Sequence, residues 1–224
     1  MAEGRGARAG SVSQIETRRR DRRTKADRGD RASAVQWEAI LDAAARVFHQ
    51  VGYSSANLDD IAAEVGLNRS SIYYYVGGKS ELLYELGQRT IAASVPELLA
   101  VAERDLAPAE MVRALVRQHM GLLQNTYPRI FVFLNERRPH IDPDLNALID
   151  EAGETRLSLM AAAIEAGVAA GDFRADLAPR RTARYVIGMC AETRFWWKPE
   201  GPQTLLEIGE EITDLVISGM RAEA

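Results

Sequence analysis

The sequence predicts an all-α protein, a small three-helix unit followed by a larger helical body. Three observations predict it. Apolar residues recur at helical spacing in every strong segment from Val35 onward. Prolines mark breaks or first turns of those segments, and Gly52, Gly66 and Gly77-Gly78 separate the early ones. No pair of alternating apolar runs is joined by turn residues in the way a strand pair requires.

Trp37, Ile40, Leu41, Ala44, Phe48 and Val51 share one face of a first helix, and Gly52 stands where a left-handed residue would end it. Asn57 is an N-cap for a second helix, with Asp60 in its first turn near the positive end of the dipole. Leu58, Ile61, Ala62 and Val65 form its apolar stripe, and Gly66 breaks it. Asn68 or Arg69 opens a short third helix to Tyr75, Gly77-Gly78 ends it, and a long fourth begins near Lys79 or Ser80. Beyond residue 95 helices are expected over about 109–126, 128–137, 142–170, 179–197 and 203–221. Pro96, Pro108, Pro128, Pro139, Pro143, Pro179, Pro199 and Pro202 mark breaks or first turns.

The 224 residues suffice for a small domain joined to a larger one, and 46% hydrophobic with 27% charged residues is an ordinary globular balance. The net charge of −4 divides unevenly: residues 1–34 carry +5 and the remainder −9. A basic arm, expected to be disordered in isolation, thus precedes an acidic body. A solvated tail, an accessory contact to DNA phosphates and a membrane-surface patch all fit such an arm. Cys190 is the only cysteine, which excludes an intrachain disulfide, and its apolar neighbours suggest a buried thiol. The N-terminus has no apolar core of a signal peptide, and the Ala-rich stretch Leu157–Ala170 is too short to span a bilayer. A cytoplasmic location and no membrane partner are expected.

Residues 52–83 carry the functional message. Two short helices joined by a Gly-containing turn, followed by aromatics and a lysine, are the arrangement that seats a helix in the major groove and anchors its flanks on phosphates. Asn68, Arg69, Ser70 and Ser71 are the residues at the start of the reading helix. Arg69 alone among them can donate two hydrogen bonds to guanine O6 and N7. Tyr73 and Tyr74 follow one turn later, and Lys79 stands at a helix start suited to a phosphate. Three successive tyrosines, Tyr73–Tyr75, spread over about 200° of helix and cannot share one buried face, whereas Ile72 and Val76 at i,i+4 can.

Ala43–Leu83 resembles the N-terminal domain of TetR-family transcriptional regulators. The resemblance rests on Gly52-Tyr53, Asp60-Ile61-Ala62, Gly66, Ile72-Tyr73-Tyr74-Tyr75 and Lys79-Ser80-Glu81-Leu82-Leu83. Val76 stands where the family usually has Phe, and Asn57 where it has Thr or Ser. The resemblance implies a DNA-binding domain over 35–80 and a ligand-binding and dimerisation domain over 81–224. It places Arg69, Ser70 and Ser71 near bases and Asn57, Tyr73, Tyr74 and Lys79 on the DNA backbone. It also implies a homodimer on a palindromic site. A stripe of Ala183, Val186, Ile187 and Cys190 on one C-terminal helix, and of Leu205, Ile208, Ile212, Leu215 and Val216 on the other, offers a surface for it, with Gly188, Gly209 and Gly219 permitting close approach.

An effector site in a helical bundle is apolar with a few fixed polar groups. The candidates are His119, Leu123, Tyr127, Phe131, Arg137, Met160, Met189, Arg194 and Trp197, each of which also reads as plain core or surface. The segment Arg194-Phe195-Trp196-Trp197-Lys198-Pro199, with Gly201 after it, is similar to a TetR subgroup controlling fatty-acid, steroid or other acyl-CoA catabolism, although the first aromatic of that pattern is missing. It implies an acyl-CoA effector whose phosphates Arg137, Arg138, Arg194 and Lys198 would meet; an uncharged apolar compound is the alternative. His119 and His140 lack metal-ligand spacing, and no phosphate-cradling Gly loop or nucleophile–base pair is present, so neither metal, cofactor nor enzymatic activity is expected. An effector-independent architectural DNA-binding protein remains the competing class, marked by steep salt dependence without sequence preference.

Overall fold

The computed structural model describes residues 31–136 and 141–222, and nine α-helices run through them without a strand. They are α1 (Arg31–Val51), α2 (Leu58–Glu64), α3 (Arg69–Tyr75), α4 (Lys79–Ala102), α5 (Pro108–Asn125), α6 (Arg129–Asn135), α7 (Pro143–Ala170), α8 (Pro179–Trp196) and α9 (Leu205–Met220). Most of the basic arm, with Arg137, Arg138 and His140, lies outside the described residues; α1 begins at Arg31, four residues before the expected start.

The helix ends follow the local chemistry. Gly52, Gly66 and Gly171 have φ near +80°, +73° and +82°, a left-handed backbone that costs glycine nothing. Pro108, Pro143 and Pro179 each occupy a first turn, where the missing N–H has no partner to lose. Pro96 departs from expectation, since α4 continues through it to Ala102. The proline is exposed, so the carbonyl it leaves unbonded one turn earlier can meet water.

α1, α2 and α3 form the small unit, and α4 ties it to the body. Ile40, Leu41, Ala44 and Phe48 on α1 close over Ile61 and Ile72, and Val76 fills the same core with no exposed surface. Val76, smaller than the aromatic expected there, is fully covered. In the body, α5 is central, packing on α4, α7, α8 and α9. Val112, Leu115, Val116, Met120 and Leu123 make its buried stripe. α9 approaches α5 so closely that a Cβ at Gly209 would lie 2.8 Å from Met120 Cγ.

The outward face of the last two helices is not the expected one. Ala183, Val186 and Cys190, and Leu205, Ile208 and Val216, are buried inside the chain itself, and Ile187 and Ile212 are half-buried. Only Leu215 of those two stripes is exposed, at 69%. α5 and α7 beneath them cover these stripes within the chain. Tyr185 and Phe195 on α8 and Leu215 on α9 stay outside, beside Gly188 and Gly219, where an added Cβ meets nothing within 4 Å.

Candidate nucleic-acid interface and effector site

The reading unit is assembled by side chains that close on its own backbone. Asn57 Oδ1 accepts from the Asp60 N–H at 2.9 Å, and Asp60 Oδ2 accepts from the Asn57 N–H at 3.2 Å, a reciprocal capping box at the start of α2. Asn68 Oδ1 accepts from the Ser71 N–H at 2.8 Å and from the Ser70 hydroxyl at 2.7 Å. Asn68, expected among the base-reading residues, is therefore the N-cap of α3, with its acceptor oxygen already engaged.

α3 presents its polar side to solvent. Ile72 and Val76 are fully buried, whereas Tyr73 is 48% and Tyr74 71% exposed. Tyr75 is half-buried and meets the Tyr74 ring edge-on, with centroids 5.4 Å apart. Arg69 is 74% exposed and pairs with Asp59 at 3.3 Å. An ion pair so open to water holds weakly, so the guanidinium is free to exchange Asp59 for another acceptor. Ser70 is exposed and Ser71 half-buried.

Lys79 corrects the expectation. Its ammonium donates to the carbonyls of Tyr53 at 2.7 Å, Ser54 at 2.9 Å and Ala56 at 2.8 Å, and lies 4.7 Å from the Tyr53 ring centroid. Those three bonds use every donor an ammonium has. The side chain pins the α1–α2 turn to the start of α4 rather than reaching outward to a phosphate. Sequence reasoning missed this because the carbonyls belong to residues 23 to 26 positions earlier.

The effector candidates separate into two groups. Tyr127, Phe131 and Trp197 meet edge-on, with centroids 5.1 to 6.1 Å apart. His49, at the end of α1, shares a 2.8 Å hydrogen bond with the Tyr127 hydroxyl, so this cluster joins the reading unit to the body. His49 was not among the candidates, and nothing in its surroundings in sequence marks it. Trp197 donates from Nε1 to the Gln203 carbonyl at 2.9 Å. Arg194 donates to the Ala191 carbonyl at 2.7 Å and lies over the Phe195 ring, turned along its own helix rather than toward an anion.

The second group is carried on α5, α7 and α8. Leu123 and Met160 are buried there, and Met189 is half-buried. Both ring nitrogens of His119 are buried without a hydrogen-bond partner among the described residues, as are the Gln118 amide atoms and Arg156 Nε. Burial, together with the neighbouring Arg156 charge, lowers the His119 pKa to about 3, so the imidazole is neutral at pH 7. Burial lowers the Arg156 pKa as well and raises the Cys190 thiol to about 12, with Arg156 opposing the latter shift. Arg156 and Gln118 were missed; an arginine in Glu-Thr-Arg-Leu-Ser reads as a solvated helix face.

A cleft of about 490 Å³ opens elsewhere, where α1 and α4 meet the α5–α6 turn, and of the candidates only Tyr127 lines it. Its arginines are already engaged: Arg46 with Glu64 at 2.7 Å, Arg89 with Glu38 and Glu85, and Arg129 with Asp42.

A capped pair of short helices with an outward second helix, carried on an all-α body, defines a helix–turn–helix transcriptional regulator. Residues 40–86 match the model of bacterial regulatory proteins of the tetR family, and residues 105–220 match that of the tetracyclin repressor-like C-terminal domain. The chain belongs to the TetR family. It is similar to the HTH-type transcriptional repressor KstR2 of Mycobacterium tuberculosis H37Rv, 20% identical over 184 residues that cover 82% of this chain and 92% of the relative. The solved structure of KstR2, a ketosteroid transcriptional regulator, matches with a TM-score of 0.76 at 21% identity, covering 84% of this chain and 95% of that one. The fatty acid metabolism regulator protein of Bacillus subtilis 168 is 21% identical over 182 residues, 81% of this chain and 93% of the relative. AibR, solved with isovaleryl coenzyme A and operator DNA, matches at a TM-score of 0.67 and 22% identity, covering 83% and 98%.

Proposed function

We propose that this protein is a ligand-responsive transcriptional repressor that binds a palindromic operator as a homodimer and is released by a small apolar or acyl-CoA-type effector. The observation that carries this reading is α3 itself: Ile72 and Val76 hold it to the core while Arg69, Ser70, Tyr73 and Tyr74 face outward. In the complex Arg69 leaves Asp59 for a base edge, the tyrosine hydroxyls meet phosphates, and Asn57 offers its remaining amide donors to the backbone. The start of α4 contributes through its backbone N–H groups, because the Lys79 ammonium is engaged.

Residues 35–80 form the reading domain and 81–224 the sensing and dimerisation domain, with α4 spanning the boundary. The dimer uses the outward faces of α8 and α9, around Tyr185, Phe195 and Leu215. It places two copies of α3 one helical turn of DNA apart, about 34–36 Å. KstR2 and the fatty acid regulator support an effector from apolar acid metabolism, and AibR supports an acyl-CoA. Effector entry shifts the pair of α3 helices out of register, by no more than its differential affinity for the two states. The Tyr127–His49 and Arg129–Asp42 contacts are routes by which the sensing domain reaches α1.

Fluorescence anisotropy on the DNA upstream of the protein's own gene, against bulk competitor, tests the reading in the cytoplasmic salt range. Specific binding to an inverted repeat is the expected result. Binding of equal strength to every sequence, with a steep salt slope, would instead identify an architectural protein that uses its basic arm.

A further inference from the structure

His119 on α5, Arg156 on α7 and Cys190 on α8 lie close enough in the body for the Arg156 charge to act on both of the others. The three helices pack pairwise. No carboxylate among the described residues pairs with Arg156, and its Nε has no acceptor. A guanidinium taken out of water without an anion is costly, and proteins keep such groups where something supplies the missing charge. His119, one turn from Leu115 and Leu123 on the same helix face, likewise has neither nitrogen bonded. Met160, one turn beyond Arg156, is buried, as is Val186 one turn before Cys190. As whole residues both His119 and Arg156 are half-buried, while the nitrogens named above are covered.

We propose that Arg156 and His119 form the polar end of the effector site and bind the carboxylate of an otherwise apolar acid. The inference rests on the reading of the chain as a ligand-responsive regulator and narrows its effector to a free acid, in place of the acyl-CoA and the uncharged compound. A carboxylate supplies one negative charge to one guanidinium and accepts the imidazole N–H as well. Arg156 is the single guanidinium of the pair, which matches a monoanion. The several phosphate charges of coenzyme A exceed what one buried guanidinium neutralises, and an uncharged ligand leaves Arg156 unpaired. Leu115, Leu123, Met160 and Val186 receive the apolar body.

The test is calorimetric titration of the full chain, without DNA, with octanoic, decanoic, dodecanoic, 4-phenylbutyric and cholic acids. Each is compared with its methyl ester and its CoA thioester. At least one acid is expected to bind roughly tenfold or more tightly than either derivative, as a charge-assisted hydrogen bond provides. Arg156→Met is expected to bind that acid no better than its ester while melting no lower than the wild type in the absence of ligand. Arg156→Gln, which retains polarity without charge, serves the same comparison should the Met variant not fold. Ester or thioester binding equal to the acid, a preference that survives both substitutions, or no binding by any acid would each overturn the proposal. Because no DNA enters the assay, its failure leaves operator reading untouched, and failure of operator reading leaves this result standing.

Discussion

Around α2 and α3 the polar side chains close on partners within their own unit: Asn57 with Asp60, Asn68 with Ser70 and Ser71, and Lys79 with three carbonyls. In the body, Gln118, His119 and Arg156 keep buried polar atoms with no partner among the described residues. The two regions have the same helical architecture and comparable apolar cores, so the difference lies in what each awaits. A reading head has to be preorganised, because any ordering left until DNA binding is subtracted from affinity. A sensing site has to be incomplete, because a ligand changes stability and shape only by supplying interactions the free protein lacks.

The comparison breaks first at Lys79. Lys79→Met removes three charge-assisted hydrogen bonds and is expected to lower folding stability by about 2–4 kcal/mol, read by urea unfolding. A loss confined to DNA affinity, with stability intact, would make Lys79 a phosphate ligand instead. Leu215→Glu places a charge in the proposed dimer face without touching the chain's own core. Light scattering should show a monomer of unchanged helicity; a persistent dimer would move the interface elsewhere. Asn68→Ala removes the α3 cap and should cost about 1 kcal/mol, measured by thermal unfolding.

A pH dependence sharpens the other side of the comparison. With the folded His119 pKa lowered to about 3, the unfolded chain takes up a proton near its ordinary value of 6.5 while the folded chain does not. The unfolded state therefore binds more protons between those values, and stability falls as pH drops from about 6.5 toward 3. Arg156 and Cys190, the groups facing it, leave this sign unchanged: the guanidinium is positive throughout and the thiol neutral. His119→Leu should flatten the melting-temperature profile between pH 7 and pH 5; an unaltered profile would place His119 in contact with water.

The reading unit was largely legible because its signals are local. Caps, positive-φ glycines and first-turn prolines act over three or four residues, so the ends of α2, α3 and α8 fell within about two positions of expectation. Ile72 and Val76 could be separated from Tyr73 and Tyr74 by helical geometry alone. Contacts made across the fold were not legible. The carbonyls around Lys79 belong to another turn, His49 meets Tyr127 from a different domain, and Arg156 sits in a segment whose polarity suggests a surface. The stripes of α8 and α9 expected at a dimer surface are buried within the chain, because periodicity does not say whether an apolar side is covered by the chain itself or by a second copy.

The central claim is that α3 reads bases through Arg69 while the rest of its surroundings only hold it in place. Anisotropy titrations of wild type and Arg69→Ala against the operator and a scrambled duplex, at one salt concentration, test it most directly. Discrimination should fall by about tenfold to a hundredfold, as loss of a bidentate base contact produces, with scrambled-duplex binding nearly unchanged. An equal loss on both duplexes, or none on either, would contradict it.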